Sequence, residues 1–575
     1  MTTWLPLPRS TGRSDLIRVF AGAARPQERQ CPYKTAFKAR PGLKPPRGPL
    51  PGYKPDPREG FNLGPLNEAL DLIEYHGSSV EQALAEVLRS KDGRPAAHPG
   101  LARWTTVAVA NYLKGGDEGL LPVSHGWVRV AALSKRDERG AARYEECVWG
   151  RPYESPDGTV RELRIPVAGP LSEQARDEGE LAAASMTVAF GKAHRLPGPF
   201  QWKENAVQVE DDFSPAREHE LRSVRIQEVS CLDGARRTVS VRTPEEIERE
   251  YDRIGKARLA EAVTSEHFAP GFDCEDCKLV PVCPALRRAP GLLGIHDSTR
   301  PRRTWSVTNG RSYAGRPDRD EKCAAREHLR RLRLPDRGGK EIGPAVVRGH
   351  AVHAWIQEQH ERSPGVACRP QDAPEGSESW SAGKWAVTGE EAGIGARMVA
   401  AHARHCPYRL TTVAGLVHER SVVMHDTEAD VIVIAKADMM YRDGASWVYR
   451  EIKTDARNDP PLEGDLLRSR PQLALAVLLL ESSVADLTLS RVELEVLGPS
   501  GSRLTMVDPA DPDTRAQARF AVQELVSEWH EDTLAVASPG RHCRFCEMDE
   551  WCQPNFRDRS RDLMEEKDDS RPARL

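Results

Sequence analysis

The sequence contains no apolar run approaching the ~20 residues that a membrane-spanning helix needs. Its first residues, MTTWLPLPRS, lack the pattern of a secretory signal peptide. The chain also has no G-x4-G-K-[ST] phosphate loop, no C-x3-C-x2-C run and no flavin or nicotinamide fingerprint. These absences argue against a membrane protein, a nucleotide-driven motor and a radical or dinucleotide-dependent redox enzyme. They predict a cytoplasmic protein without a nucleotide cofactor.

The composition is that of a globular protein with several domains. The 575 residues are 39% hydrophobic and 29% charged. A net charge of −4 does not by itself indicate a nucleic-acid partner. Between Arg287 and Lys340, however, 15 Lys and Arg residues stand against six Asp and Glu residues. Such a stretch could neutralise phosphates, or it could be a solvated linker.

Half of the 12 cysteines lie in two copies of one C-x2-C-x5-C pattern. The first copy is Cys274, Cys277 and Cys283, and the second is Cys543, Cys546 and Cys552. In a reducing cytosol, clustered cysteines are metal ligands more often than disulfides. Each triplet therefore predicts a metal site that takes a fourth ligand from elsewhere in the chain.

The sequence around the triplets repeats as well. A strand, a glycine-containing turn, a second strand and a helix precede each triplet, and further upstream Cys31 parallels Cys323. This repeat predicts a duplicated chain. We expect a first copy at residues 1–290, a basic linker at 291–320, a second copy at 321–558 and a charged, disordered tail at 559–575.

The strongest chemical signal lies in the second copy. Val431 to Ala437 form an apolar run that predicts a buried strand ending at Asp438, and a turn at Asp443-Gly444 leads into a second strand. On that strand Glu451 and Lys453 share one face while Ile452 faces the core. Two carboxylates and a lysine at one place can hold a hard divalent cation and orient a water molecule.

These residues occur in the order of a known family. Gly349-x3-His353 precedes Asp438 and Glu451-x-Lys453, and Gln472 follows. Over roughly residues 305–555 the chain resembles the PD-(D/E)xK nucleases of the RecB family. Specifically, it resembles their iron–sulfur branch, which includes CRISPR-adaptation exonucleases and the nuclease domains of AddB-type helicase–nucleases. That branch has one cysteine before the nuclease core and a C-x2-C-x5-C triplet after it. The family usually has a tyrosine four residues after the glutamine, where this chain has Ala476.

The resemblance implies an α/β fold with two tandem restriction-endonuclease-like domains. Each would be a central mixed sheet flanked by helices and closed by a four-cysteine metal staple. It implies that Mg²⁺ or Mn²⁺ is held by His353, Asp438, Glu451 and the Ile452 carbonyl. Lys453 would position the attacking hydroxide, and Gln472 would support the site. It also implies a [4Fe–4S] cluster on one cysteine set and the same on the matching set, with Zn²⁺ as the alternative occupant. The two sets are Cys323, Cys543, Cys546 and Cys552, and Cys31, Cys274, Cys277 and Cys283.

The first copy lacks the catalytic residues. Gly60-x3-Gly64 stands where the histidine motif should be, Glu162-Leu163-Arg164 replaces the Glu-x-Lys motif, and Pro152 falls near the position of the metal-binding aspartate. We therefore expect a degenerate copy that keeps a cluster. Zinc bound with Cys147 or Cys231 as the fourth ligand is the alternative. Cys368 and Cys406 carry no evident motif and are interpreted as ordinary thiols.

The leading hypothesis is a metal-dependent DNA nuclease, an exonuclease or end-processing enzyme in DNA repair, recombination or defence against foreign DNA. It would act at the nucleoid, and any unwinding would come from a helicase or another repair or defence subunit, since the chain has no helicase phosphate loop. The alternative is a non-catalytic DNA-binding adaptor stapled by two metal clusters that serves a helicase or nuclease. An iron–sulfur redox sensor is a third, weaker interpretation.

Overall fold

The computed structural model describes most of the chain. The described residues are 4–26, 30–46, 61–89, 97–116, 119–124, 126–131, 143–194, 220–298, 303–315, 322–336, 343–375, 378–457, 465–484, 486–532 and 534–552. The tail predicted at 559–575 lies outside them. Within these ranges, no helix has both the length and the apolar character that a membrane crossing requires.

The first half consists of short strands and seven described α-helices. The strands are β1 (Thr11–Gly12), β2 (Leu16–Phe20), β3 (Leu43–Lys44), β4 (Leu121–Pro122), β5 (Gly126–Ala131), β6 (Arg143–Cys147), β7 (Arg151–Glu154), β8 (Val160–Val167), β9 (Lys192–His194), β10 (Ser223–Ser230), β11 (Arg236–Arg242) and β12 (Arg287–Arg288). The helices are α1 (Pro32–Lys38), α2 (Gly64–Glu74), α3 (Val80–Leu88), α4 (Pro99–Leu113), α5 (Glu178–Phe190), α6 (Pro244–Glu250) and α7 (Lys256–Thr264).

The second half has longer strands. They are β13 (Thr304–Trp305), β14 (Ser379–Ala382), β15 (Trp385–Thr388), β16 (Val413–Asp426), β17 (Val431–Asp443), β18 (Ser446–Thr454), β19 (Arg491–Gly498) and β20 (Gly501–Val507). The helices are α8 (Val307–Ala314), α9 (Ala324–Arg331), α10 (Pro344–Arg362), α11 (Gly389–His402), α12 (Leu466–Ser469), α13 (Pro471–Ser483) and α14 (Pro512–Glu531).

A mixed sheet forms the centre of the second half. Its strand order is β12-β16-β17-β18-β19-β20, with β13 beside β17. Strands β18 and β19 run parallel, which requires a crossover, and the apolar helix α13 provides it. Helices α13 and α14 cover one face of the sheet. Helices α10 and α11 cover the other face and pack on Ile452. These layers confirm the predicted mixed α/β architecture.

The predicted hairpin forms, with one difference. Strand β17 does not end at Asp438 but continues to Asp443, because Met439 to Asp443 pair with β18. Gly444, at φ 61°, opens the two-residue turn that returns the chain into β18. The aspartate therefore lies in the middle of a strand instead of at its end.

The first half uses a similar strand order. One of its sheets has the order β11-β10-β8-β7-β4, and β8 and β10 are parallel. These strands occupy the places of β20, β19, β18, β17 and β16. A second sheet has the order β2-β6-β5-β9, and its strands β2 and β6 are parallel. The corresponding parallel pair in the second half is β13 and β17. Cys31 and Cys323 both lie immediately before a helix, as the N-cap residues of α1 and α9.

The stretch predicted as a basic linker, 291–320, is packed into the second half over much of its described length. Leu292, Leu293 and Ile295 belong to the core around β17 and α13. Trp305 is inaccessible to solvent, and Thr304–Trp305 pairs with β17. The abundance of arginine indicated a linker, but the apolar residues between the arginines decide the fold because their burial is favourable.

Each cysteine triplet contacts the opposite half. Cys274 packs with Ile432 and Ile434 of the second-half sheet. Cys546 packs with Trp104 of the first-half helix α4. Arg103, on the same helix, donates a 2.8 Å hydrogen bond to the Glu550 carbonyl. The triplets therefore lie where the halves meet.

Candidate active site

The second-half site forms where β17 and β18 diverge. The backbone N–H of Ile452 donates a 2.7 Å hydrogen bond to Asp438 Oδ2 instead of to a strand carbonyl. The ladder pairing of the two strands stops at Met439 and Arg450, one residue before Asp438 and Glu451. The carboxylate of Asp438 thus takes over a ladder hydrogen bond, which fixes its position beside Glu451.

Lys453 joins the two carboxylates. Its Nζ lies 2.5 Å from Glu451 Oε1, 3.0 Å from the Ile452 carbonyl oxygen and 3.8 Å from Asp438 Oδ2. The other oxygen of Glu451, Oε2, is buried and accepts no hydrogen bond from any residue that the structure describes. A buried charged oxygen without a partner is costly, and a bound cation would satisfy it.

Helix α10 presents His353 to the same place. His353 Nδ1 lies 3.7 Å from Asp438 Oδ1. Gly349, one turn earlier, allows this approach because a Cβ there would lie 3.1 Å from Thr454 Oγ1. The glycine of the Gly349-x3-His353 pattern therefore has a packing role between the helix and strand β18.

Burial dominates the electrostatics of this site. It lowers the pKa of His353 to about 4, with a further contribution from the charge of Lys453. It raises the pKa of Asp438, and it raises the pKa of Glu451 with help from the neighbouring Asp438 charge. The imidazole is thus neutral at pH 7 and able to donate a lone pair to a metal, and the buried carboxyl groups favour a compensating positive charge.

Gln472 and Ala476 lie on helix α13. The Oε1 atom of Gln472, in the first helical turn, is buried and has no hydrogen-bond partner within the described part of the chain. Ala476 is 0% exposed within the main core of the second half. A tyrosine at that position would overpack this core, so the departure from the family pattern agrees with the local packing.

Glu419, on strand β16, was not predicted as part of the site. Its carboxylate, a ring nitrogen of His353 and a carboxylate oxygen of Asp438 lie within 4.8 Å of one another. Glu419 has φ 52°, which is unusual for a residue other than glycine, and it forms an ion pair with Lys436. Such backbone strain is common at functional sites. The fragment HERSVV has no motif that would identify this glutamate from sequence.

The matching place in the first half is closed by arginine. Arg164 Nε lies 2.6 Å from Glu162 Oε1, and Arg225 Nε lies 3.2 Å from Glu162 Oε2. In strand register, Tyr153 is opposite Glu162, whereas Pro152 is opposite Leu163. The tyrosine, not the proline, therefore occupies the place of Asp438. Neither oxygen of Glu162 is left for a cation.

The four cysteines predicted for the first cluster line one cavity. Cys31, Cys274, Cys277 and Cys283 all border it, while Cys147 and Cys231 do not. Burial raises the pKa of the Cys274 thiol to about 11, and the other three thiols are close enough to add to the shift. The structure therefore brings the distant Cys31 to its triplet.

The second set also converges. Cys323 and Cys543 lie against the ring of His542 and raise its pKa to about 10. Burial raises the pKa of Cys546 to about 12, with a contribution from Cys323. Cys546 and Cys552 pack in one apolar cluster with Trp551. Residues more than 200 positions apart thus meet at this loop.

One protein-family model matches much of the second half. Residues 319–553 match the family model described as the PD-(D/E)XK nuclease superfamily. This segment includes His353, Asp438, Glu451 and Lys453. No curated protein sequence matches the chain.

Two solved structures show weak similarity. One is a protein from Eubacterium rectale, provisionally named an exonuclease, with 11% identity over 43% of this chain and 82% of that chain, and a TM-score of 0.25. The other is named SSO0001, with 15% identity over 24% of this chain and 61% of that chain, and a TM-score of 0.17. Scores this low do not identify a fold.

Proposed function

We propose that this chain is a divalent-metal-dependent DNA nuclease whose reaction takes place at Asp438, Glu451 and Lys453. The observation that carries the proposal is the convergence of these residues with His353 inside the segment that matches the nuclease superfamily. The buried Oε2 of Glu451, to which no described residue donates a hydrogen bond, supports a cation at this place. The proposal includes trimming of DNA ends in repair or in defence against foreign DNA.

In this proposal the chemical type of each side chain determines its role. Asp438, Glu451, the Ile452 carbonyl and neutral His353 offer the oxygen and nitrogen donors that Mg²⁺ or Mn²⁺ accepts. Such a cation, when bound, acidifies water and stabilises charge on phosphate oxygens. Lys453 places its ammonium beside the Glu451 carboxylate, where it orients the nucleophile and stabilises developing negative charge.

The first half is, in this proposal, a degenerate copy of the second. The shared strand order, the parallel β8–β10 and β18–β19 pairs and the cysteines that immediately precede α1 and α9 support a duplication. The arginines around Glu162 support the loss of chemistry, because an arginine remains protonated and occupies the carboxylate oxygens.

We also propose a [4Fe–4S] cluster on each four-cysteine set. A single zinc with Zn–S bonds of ~2.3 Å would bring its thiolates to about 3.8 Å from one another. Among the residues that the structure describes, neither set has three ligand atoms within 4.8 Å of one another. The first set instead surrounds a cavity, as a larger cluster requires. Zinc remains the alternative occupant that metal analysis would detect.

A cleavage assay tests the proposed nuclease. Anaerobically purified protein is incubated with single-stranded and double-stranded DNA ends and with Mg²⁺ or Mn²⁺, and is compared with Lys453→Ala. We expect the variant to lose cleavage by about a hundredfold or more while DNA binding and unfolding temperature are retained. Arg164→Ala, at the matching position of the first half, is the control for activity.

Two results would contradict the proposal. Undiminished cleavage by Lys453→Ala would remove the assigned site. DNA binding by the wild-type chain without cleavage in either metal would instead favour the adaptor, which needs a nuclease or helicase partner.

A further inference from the structure

Another group of side chains that could hold a metal ion lies in the second half, apart from the proposed catalytic residues and from both cysteine triplets. One ligand atom each of His360, Cys368, His402 and Cys406 lies within 4.8 Å of the others. All four residues are buried, with exposures of 3% or less. His360 is near the end of α10, Cys368 follows that helix, His402 ends α11 and Cys406 follows it.

The nitrogen and sulfur atoms of this group face one another. His360 Nε2 lies 3.3 Å from Cys406 Sγ, and the backbone N–H of Cys368 donates a 3.3 Å hydrogen bond to the same sulfur. His402 Nε2 is buried and, among the described residues, lies close to Cys406 but makes no hydrogen bond of normal geometry. A buried imidazole nitrogen in this state is costly unless something binds it.

The outward-facing nitrogens of both histidines have partners. His402 Nδ1 lies 3.0 Å from Glu495 Oε1, and Arg450 holds the same carboxylate at 3.1 Å. His360 Nδ1 lies 3.0 Å from His418 Nε2. Hydrogen bonds of this kind orient a ligating imidazole and leave its other nitrogen facing the metal, as is usual around zinc.

We propose that His360, Cys368, His402 and Cys406 bind one structural Zn²⁺. Two imidazoles and two thiols are a complete tetrahedral donor set for zinc. Hard cations such as Mg²⁺ prefer oxygen ligands and are unsuited to it. Because all four positions come from protein and the site is buried, no position remains for a substrate.

The position of the zinc suggests what it stabilises. His360 lies two helical turns after His353 on α10. His418 is the neighbour of Glu419 on β16. The zinc site therefore joins α10, α11 and, through Glu495 and His418, strands β19 and β16. It fixes the helix that presents His353 and the strand that presents Glu419. The zinc proposal does not depend on whether the neighbouring site cleaves DNA.

Metal analysis of the full chain tests this proposal. Zinc and iron per chain are measured for the wild type, for Cys406→Ser and for Cys147→Ser, a buried thiol outside every proposed set. We expect Cys406→Ser to contain one zinc fewer than the wild type with the same iron content. Cys147→Ser should retain the zinc. Equal zinc in all three proteins would overturn the proposal.

Two measurements on the wild type keep the test valid if the variant fails to fold. Cobalt supplied during expression should give the visible bands of a tetrahedral site with thiolate ligands. Peptide mapping after alkylation should find Cys368 and Cys406 protected until a chelator removes the metal. Absence of tetrahedral cobalt bands, free alkylation of both thiols, or a Cys368–Cys406 disulfide in protein purified without oxygen would each overturn the zinc site.

Discussion

Strand β8 of the first half carries Glu162-Leu163-Arg164, and strand β18 of the second half carries Glu451-Ile452-Lys453. Both glutamates are buried and both pair with the basic residue two positions later. They differ in the second oxygen. In Glu162 the second oxygen faces Arg225, whereas in Glu451 it has no hydrogen-bond partner among the described residues.

Under the proposed function, one strand order serves stability in the first half and chemistry in the second. A buried carboxylate with both oxygens paired is a structural ion pair. A buried carboxylate with one open oxygen costs stability, which is typical of functional sites. Strand β19 has Leu494 where β10 has Arg225, so the open oxygen of Glu451 results from an apolar neighbour in the second half.

Substitutions in the two cysteine sets should have the largest effect among the tests that compare the halves. Each proposed cluster ties the start of its half to its end, and closing a loop of more than 200 residues restricts the unfolded chain by up to about 4–5 kcal/mol in the chain-entropy model. We expect Cys546→Ser and Cys277→Ser each to lose about four of about eight irons per chain and to unfold at lower temperature.

The two variants should differ in where they destabilise. Cys546 packs on Trp104 of the first half, so its loss should also expose α4 to proteolysis. Iron analysis, thermal unfolding and limited proteolysis under anaerobic conditions check this expectation, with Cys231→Ser as the control thiol. Unchanged iron content in either variant would refute the corresponding cluster.

Exchanging each glutamate for glutamine sharpens the comparison. Glu162→Gln removes the negative charge that the buried Arg164 pairs with, so we expect a loss of about 3–5 kcal/mol in unfolding free energy. The cleavage rate per folded molecule should not change, because no metal ligand is affected. Glu451→Gln should have the opposite effects. It should abolish cleavage, and its unfolding free energy without metal should be equal to or higher than that of the wild type.

Denaturant unfolding without divalent metal and cleavage with it measure the two effects separately. A loss of cleavage in Glu162→Gln as large as that in Glu451→Gln would mean that both halves contribute to one composite site. A large loss of stability in Glu451→Gln would mean that Glu451 is a structural ion-pair partner like Glu162.

Local periodicity was enough to predict the hairpin that carries the site. Alternation placed Glu451 and Lys453 on one face with Ile452 in the core, and the structure has this arrangement. The predicted end of β17 was wrong because β17 pairs with β18 beyond Asp438. An apolar run in one segment does not reveal how far that segment pairs with another strand. Arginine content likewise suggested a linker where Leu293 and Trp305 enter the core.

Residues brought together by tertiary structure were predicted only where the family resemblance named them, and the group of His360, Cys368, His402 and Cys406 was not. Cys368 and Cys406 were interpreted as ordinary thiols, because the four members of their group come from separate elements with no repeated spacing. The pair His402-x3-Cys406 was the one local signal. Tyr153, rather than Pro152, faces Glu162 because register depends on the β7–β8 turn.

Glu419 gives the smallest and most discriminating test of the comparison. The first-half strands that match β16 span residues 121–131, where the sequence contains no Asp or Glu. If Glu419 helps to hold the catalytic cation, Glu419→Gln should raise the metal concentration required for cleavage by about tenfold, a usual cost for a supporting group. Lys436→Met removes the ion-pair partner of Glu419 but keeps the Glu419 carboxylate, so the metal concentration that this variant requires should stay equal or fall.

Cleavage rates measured across a metal titration check both variants. An unchanged requirement in Glu419→Gln would show that the strained backbone at φ 52° serves folding and not metal binding. The site would then depend on His353, Asp438 and Glu451 alone, and the difference between the halves would lie in strands β17 and β18 and helix α10.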